Sequence, residues 1–172
     1  KTLAMAAAMA NKGQIFAYDS DRHRLAPIHD RLKRNGARNV QVRSPGEGAL
    51  DDLSGRMDRV VIDAPCTGSG TWRRRPDTKW KLSPEQLEAR VAEQAAILEQ
   101  GASFVRPGGT LVYITCSILN EENAGQAARF LGVRDTLHTV ACQRGVGRDH
   151  AVNPGFDQPA RELNDHLERS PS

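Results

Sequence analysis

Short apolar runs with strand character alternate along this chain with segments that carry apolar residues at helical spacing. The predicted strands are residues 14–19, 39–43, 57–63 and 110–116, and helical patterns occupy residues 1–12, 21–35, 83–104 and 121–131. The continuous apolar core of the run at 57–63 is typical of a strand that is covered on both faces. This alternation with short links predicts an α/β fold with a Rossmann-like, doubly wound and mainly parallel sheet, whose ligands bind at the carboxyl ends of the strands.

The composition limits the classes of protein to consider. A chain of 172 residues with 38% hydrophobic residues fits one domain with a modest core, and it contains no apolar run of about 18 residues that would span a membrane. Its three cysteines, Cys66, Cys116 and Cys142, lack the spacing of zinc ligands or of a disulfide framework. We therefore predict no metal, no membrane contact, and free thiols in a reducing compartment, the cytoplasm. A net charge of +3 permits nucleic acid binding without demonstrating it.

Chemically reactive side chains follow three of the predicted strands. Asp19 ends one strand, Asp63 with Cys66 follows another, and Cys116 ends a third. Because the carboxyl ends of parallel strands share one edge of a sheet, we expect these residues to converge. Asp19 suits hydrogen bonding to the ribose of a nucleotide cofactor, although an Asp after a strand is equally typical of a helix N-cap, a role for which Asp21 competes. Either cysteine alone is as typical of a small buried hydrophobe, but two at strand ends favour a functional site.

Four motifs are long and ordered enough to compare with a known family. They are residues 63–71 (DAPCTGSGT), 74–80 (RRPDTKW), 107–109 (PGG) and 115–123 (TCSILNEEN). Together with residues 1–4 and 11–15 they resemble the bacterial Sun-type 16S ribosomal RNA cytosine-5 methyltransferases, over about three quarters of the chain. We therefore predict a partial catalytic domain of an S-adenosylmethionine-dependent methyltransferase over residues 1–131, and a divergent, weakly structured segment over residues 132–172.

The resemblance implies a transferase that forms 5-methylcytosine in RNA during rRNA processing, with S-adenosyl-L-methionine as cofactor. In that family the thiol matching Cys116 adds to C6 of cytosine, which makes C5 nucleophilic enough to accept a methyl group, and the thiol matching Cys66 assists product release. Asp63 is implied beside the target base. The implied cofactor contacts are Asp19, Asp63, Pro65 and Lys1.

The segment after the Cys66 motif combines cations with aromatic rings. Its basic residues are interleaved with Trp72 and Trp80, a combination that suits phosphate contacts and stacking on exposed bases. The predicted RNA contacts are Arg74, Arg75 and Lys79. The competing interpretation is a solvated loop with Trp80 anchored in the core. Glu121 and Asn123 are further candidate site residues.

Departures from the family pattern leave rival interpretations open. The glycine-rich loop that cradles the cofactor in the family would precede Lys1, so we expect a truncated chain that binds cofactor weakly, and an incomplete sheet that favours self-association through its exposed edge. One rival is a catalytically silent RNA-binding fragment. Another is a methyltransferase in which Cys66 attacks the base, as the Pro-Cys thiol does in DNA cytosine-5 enzymes.

Overall fold

The structure, a computed structural model, describes residues 1–132 as two compact units. The first unit comprises residues 1–59 and 103–110, and the described part of the second comprises residues 60–102 and 111–132. The helices are α1 (Thr2–Ala8), α2 (Arg22–Leu25), α3 (Ile28–Asn35), α4 (Asp77–Lys81), α5 (Pro84–Phe104) and α6 (Ala124–Gly132), and the strands are β1 (Ile15–Tyr18), β2 (Val40–Arg43), β3 (Met57–Asp63) and β4 (Val105–Ile114). No helix among these residues is long and apolar enough to cross a membrane.

The first unit is built on a parallel pair of strands. β1 pairs with β2 so that Ile15 lies opposite Val40 and Tyr18 opposite Arg43. The buried apolar side chains of this unit come from both helices and strands: Ala6, Ala17, Leu25, Leu32 and Leu53. The strand–helix order and the parallel pairing confirm the α/β prediction for this part of the chain.

The helical pattern over residues 21–35 is divided into two helices, which corrects the prediction of one. α2 ends at Leu25, and α3 begins after Pro27. Proline has no backbone N–H to donate, and its ring collides with the preceding turn of a continuous helix. At the start of α2, Asp21 is the N-cap, and its side chain accepts a hydrogen bond from the backbone N–H of His23.

The core of the second unit is the layer between the end of β3 and α5. Ile62, Ala64 and Leu98 are buried there, and β3 pairs with β4 in a two-stranded sheet. The backbone N–H of Ala64 donates to the carbonyl of Ile114 at 2.9 Å, which carries the pairing past the end of β3. An added Cβ on Gly101 would lie 2.5 Å from Ile62 Cδ1, so a larger residue there would displace the Ile62 side chain from the core.

α5 begins close to its predicted start, and it buries a polar side chain beside its apolar ones. Ser83 and Gln86 form a reciprocal capping box, with both backbone-to-side-chain hydrogen bonds at 3.3 Å. The apolar Ala95 is exposed, whereas its polar neighbour Gln94 is fully buried. The stripe that faces the interior is Gln94, Leu98 and Gly101.

Three other boundaries differ from the predictions. Residues 64–81, which no predicted strand or helix covers, contain a 3₁₀ turn over Ser69–Thr71 and the short helix α4. β4 begins at Val105 instead of the predicted residue 110, so the PGG motif at 107–109 lies inside the strand, where Gly108 adopts a φ of 74°. The last helix begins at Ala124 because a separate 3₁₀ turn occupies Asn120–Glu122.

Candidate active site

The two cysteines that follow β3 and β4 lie side by side in the second unit. Cys66 Sγ and Cys116 Sγ are 3.2 Å apart, and the backbone N–H of Cys116 donates to Cys66 Sγ at 3.4 Å. Both are free thiols, Cys66 half-buried and Cys116 exposed. Pairing of β3 with β4 therefore brings together two residues that are 50 positions apart in the sequence. Cys142 lies outside the described residues.

Each thiol is carried by a loop that begins where its strand ends. We call residues 64–71 the Cys66 loop and residues 115–123 the Cys116 loop. In the Cys66 loop, Gly68 adopts the left-handed conformation with a φ of 69° and opens the 3₁₀ turn over Ser69–Thr71. This is the backbone conformation that favours glycine, and it turns the chain back towards the Cys116 loop.

Direct hydrogen bonds join the two loops. The backbone N–H of Gly70 donates to the carbonyl of Cys116 at 2.9 Å, and the N–H of Ile118 donates to Ser69 Oγ at 2.9 Å. Ser69 Oγ and Ser117 Oγ are also hydrogen-bonded, at 2.8 Å. A Cβ on Gly70 would lie 2.6 Å from the Cys116 carbonyl oxygen, so only glycine allows the loops to approach this closely.

A buried polar cluster lies beneath the Cys66 loop. Glu122 is 0% exposed, and its carboxylate accepts hydrogen bonds from the backbone N–H of Thr67 at 2.8 Å and from the Thr67 hydroxyl at 2.5 Å. Gln94, from α5, donates to Glu122 Oε1 at 2.9 Å and to the carbonyl of Pro65 at 2.8 Å. The hydroxyl of Tyr113 donates to the carbonyl of Glu122 at 3.0 Å. This cluster connects α5, β4 and both loops.

Asn123 shapes the Cys116 loop from within. Its amide nitrogen donates to the carbonyls of Ser117 and Leu119, both at 2.9 Å, and its oxygen accepts from the Thr115 hydroxyl at 2.6 Å. The predicted site residue Asn123 thus binds the Thr115 side chain before Cys116 and the backbone after it. Its neighbour Glu121, the other candidate, is exposed.

Although Cys116 is exposed as a residue, partial desolvation of its sulfur raises the pKa of the thiol to about 11, and the hydrogen bond and charge of Cys66 act in the same direction. A smaller contribution comes from the negative charge of Asp63 at the end of β3. Burial also raises the pKa of Tyr113, with the charges of Glu122 and Cys66 adding to the effect. At neutral pH the free protein therefore holds Cys116 as a thiol, not as a thiolate.

The predicted cofactor contacts are divided between the two units. Asp63 and Pro65 belong to the second unit with the thiols, whereas Lys1 and Asp19 belong to the first. Asp19 is half-buried directly after β1, and its Oδ1 accepts a hydrogen bond from the backbone N–H of Asp21 at 2.8 Å. Asp21, not Asp19, caps α2, which leaves Asp19 Oδ2 suited to a ribose hydroxyl. Convergence of Asp19 with the thiols stays a prediction.

The predicted RNA contacts lie in residues 72–81, which we call the basic segment. Arg74, Arg75 and Lys79 are exposed, and the Lys79 ammonium lies 5.8 Å and 5.5 Å from the ring centroids of Trp72 and Trp80. Trp80 is 81% exposed, so the competing interpretation, in which it is anchored in the core, is wrong. Trp72 is half-buried.

Sequence reasoning missed Gln94 and Glu122. Both are polar, and a helical pattern read from apolar residues places neither in the interior. The signal that was available is the position of Glu122 in the motif at 115–123, where it lies in a run of four successive polar residues, 120–123. Among residues 1–132, no group of three His, Cys, Asp or Glu side chains is arranged to hold a metal.

Comparison with solved structures defines the class of fold. The chain superimposes on the crystal structure of PH0851 with a TM-score of 0.77 and 35% identity, covering 91% of this chain and 34% of that one. It also matches NSun6 from Pyrococcus horikoshii, solved with SFG, with a TM-score of 0.68 and 32% identity over 77% of this chain and 34% of that one. These neighbours confirm an incomplete Rossmann-like methyltransferase fold.

Sequence comparison then gives the family. The sequence model of the family "16S rRNA methyltransferase RsmB/F" matches residues 1–166 of this chain. The similarity thus extends beyond the motifs, which end at residue 123. The ribosomal RNA small subunit methyltransferase B of Klebsiella pneumoniae (strain 342) is 40% identical over 151 residues, 85% of this chain and 35% of that protein. The chain therefore belongs to the RsmB/F family and spans about a third of the length of the relatives it matches.

Proposed function

We propose that this chain carries the two-thiol centre of an S-adenosylmethionine-dependent RNA methyltransferase that modifies C5 of cytosine in small-subunit ribosomal RNA. The observation that carries the proposal is the 3.2 Å separation of Cys66 Sγ and Cys116 Sγ at the ends of two paired strands. Two free thiols in contact suit a reaction that needs one group to attack the base and another to assist its release. Membership of the RsmB/F family supports the choice of RNA as substrate.

Cys116 is the nucleophile in this scheme. Its sulfur adds to C6 of the cytosine, the electron pair of the C5–C6 double bond becomes available at C5, and the S–C6 bond breaks again when the C5 proton leaves. Cys116 is the more exposed of the two thiols and can be reached by a base from solvent. Because its pKa is raised to about 11 in the free protein, we infer that RNA binding accompanies the loss of its proton.

Cys66 and Asp63 assist from the end of β3. Cys66 Sγ lies within hydrogen-bond distance of Cys116 Sγ, where it is placed to take part in proton transfer as the adduct resolves. Asp63 is exposed at the same strand end, and a carboxyl group there suits a hydrogen bond to N3 of the base that favours charge build-up during addition.

The chain offers groups that fit an adenosyl cofactor. Asp19 has one carboxylate oxygen directed to its own turn and the other available for a ribose hydroxyl, while Asp63, Pro65 and Lys1 are the remaining proposed contacts. When bound, S-adenosylmethionine supplies the sulfonium methyl group that C5 accepts. The SFG in the NSun6 structure is an analogue of that cofactor, which supports its choice.

The basic segment is the proposed RNA contact. Arg74, Arg75 and Lys79 provide positive charge for phosphates, and the exposed face of Trp80 provides a surface on which an unpaired base can stack.

Transfer of radiolabelled methyl groups from S-adenosylmethionine to protein-free small-subunit RNA tests the proposal, with Cys116→Ala as the control. We expect incorporation by the chain and none by the variant. A well-folded chain that binds RNA in a salt-dependent manner without transferring methyl groups would instead identify a silent RNA-binding fragment.

A further inference from the structure

One fully buried carboxylate in the second unit has no part in the proposed reaction. Glu122 is 0% exposed, and each of its side-chain oxygens accepts a hydrogen bond from Thr67, one from the backbone N–H and the other from the hydroxyl. Oε1 accepts a further bond from Gln94. Burial of a carboxylate is unfavourable unless such bonds replace its hydration, so this arrangement requires the Cys66 loop to be in place.

Because of the position of Glu122 in the chain, these hydrogen bonds connect the two cysteine loops. Thr67 directly follows Cys66, and Glu122 belongs to the Cys116 loop. A carboxylate that accepts two hydrogen bonds from one residue fixes both the position and the orientation of that residue. The Glu122 backbone is itself tied to the end of β4 by the Tyr113 hydroxyl. The residue next to one thiol is thereby fixed to the strand end that carries the other thiol.

We propose that Glu122 is the positioning residue that sets the separation of the Cys66 and Cys116 thiols. It acts through Thr67, and its consequence for catalysis rests on the proposed function. The spacing itself is a property of the free protein and can be measured without RNA or cofactor. Loss of the two bonds to Thr67 lets the Cys66 loop move relative to Cys116, and reactions that need both sulfurs in contact then become slower.

Disulfide formation by the azo compound diamide measures this spacing. Two thiols lose two protons and two electrons to form one S–S bond, and diamide accepts them to become its hydrazine. The rate would be followed by mass spectrometry under non-reducing conditions in the folded 172-residue chain. The variants are Glu122→Ala, which removes both acceptors, Glu122→Gln, which retains the size and one acceptor oxygen, and Thr67→Val, which removes only the hydroxyl.

A control that loses a buried hydrogen bond elsewhere in the unit separates positioning from general loosening. Gln126 is also a buried polar residue of this unit, but its hydrogen bond goes to the carbonyl of Val91 on α5, so Gln126→Leu loses a buried bond without touching Thr67. We expect Glu122→Ala to form the disulfide about tenfold more slowly than the unmodified chain, Thr67→Val to be slowed less, and Glu122→Gln and Gln126→Leu to react at nearly the original rate.

Equal rates in Glu122→Ala and the unmodified chain would overturn the inference, and so would an equal slowing in Gln126→Leu. If Glu122→Ala does not fold, Thr67→Val decides: a rate equal to that of the unmodified chain overturns the inference. Trapping on RNA that contains 5-fluorocytosine keeps the two proposals distinct. Failure of the unmodified chain to form the covalent adduct counts against the proposed function alone, whereas unchanged disulfide rates beside normal adduct formation count against positioning by Glu122 alone.

Discussion

The two cysteine loops and the basic segment belong to the same compact unit, yet the fold holds them in opposite ways. The loops are joined by backbone and hydroxyl hydrogen bonds and rest on the buried side chains of Gln94 and Glu122. The basic segment is exposed, and Trp80 contributes an 81% exposed ring. A covalent reaction needs its groups fixed to within fractions of an ångström, whereas phosphate contacts tolerate adjustment of long side chains. The difference follows what each region is proposed to do.

The largest expected effect concerns the protonation of Cys116. Only the thiolate is alkylated, and burial together with Cys66 raises the pKa of Cys116 to about 11. The rate of iodoacetamide modification of Cys116, followed by peptide mass spectrometry, should therefore rise about tenfold for each pH unit from neutral pH upwards. A plateau near pH 8.5, the ordinary range of a thiol, would contradict the description of this site. Cys66→Ala should lower the pKa of Cys116, because two of the causes that raise it are removed.

The close approach of the loops predicts the next largest effect. Gly70→Ala places a methyl group 2.6 Å from the carbonyl oxygen of Cys116, so one of the loops must move. Because an error of about 1 Å in position costs on the order of a hundredfold in rate, we expect a loss of that order in methyl transfer. Gly46→Ala is the matched control, since a Cβ there meets no atom within 4 Å. Equal activities of the two variants would show that contact between the loops is not needed.

The basic segment should respond to charge and salt. Arg74→Ala combined with Arg75→Ala removes two exposed cations and should lower RNA affinity at every sequence, with the slope of log K against log salt concentration reduced by about 2. Fluorescence anisotropy over a range of salt concentrations measures this slope. Arg90→Ala on α5, where the side chain pairs with Glu93, is the control and should leave the slope nearly unchanged. An unchanged slope in the double variant would show that the basic segment does not contact the RNA phosphates.

The smallest expected effect is on stability at Trp80. Because this ring is 81% exposed, Trp80→Ala should change the free energy of unfolding by no more than about 0.5 kcal/mol. The same change should weaken binding of single-stranded RNA by about 1–3 kcal/mol if the ring stacks on a base. Urea denaturation and RNA titration of one preparation measure both quantities. A large loss of stability would indicate that Trp80 packs in the core, which would contradict the structure.

Features set by local sequence signals could be predicted, whereas those that depend on tertiary partners could not. The β3 strand, the capping box at Ser83 and the neighbouring positions of Cys66 and Cys116 follow from apolar runs, cap residues and the rule that parallel strand ends share an edge. The division of the helix at Pro27 was also available from the sequence. The burial of Gln94 was not, because it depends on tertiary partners distant in sequence: its amide nitrogen donates to Glu122 and to the carbonyl of Pro65.

Some expectations from the sequence stay predictions. The convergence of Asp19 with the thiols and the division of the chain at residue 131 are among them. The roles of Cys66, Cys116 and Asp63 also await experiment.

Covalent trapping on RNA that contains 5-fluorocytosine tests the central claim most directly. With S-adenosylmethionine present, C5 takes the methyl group and keeps its fluorine, which cannot leave as a proton does. The bond between the attacking sulfur and C6 therefore persists, and the adduct can be isolated with the protein. We predict an adduct with the unmodified chain and with Cys66→Ala, and none with Cys116→Ala. An adduct that is lost in Cys66→Ala but retained in Cys116→Ala would contradict the account and assign the attack to Cys66.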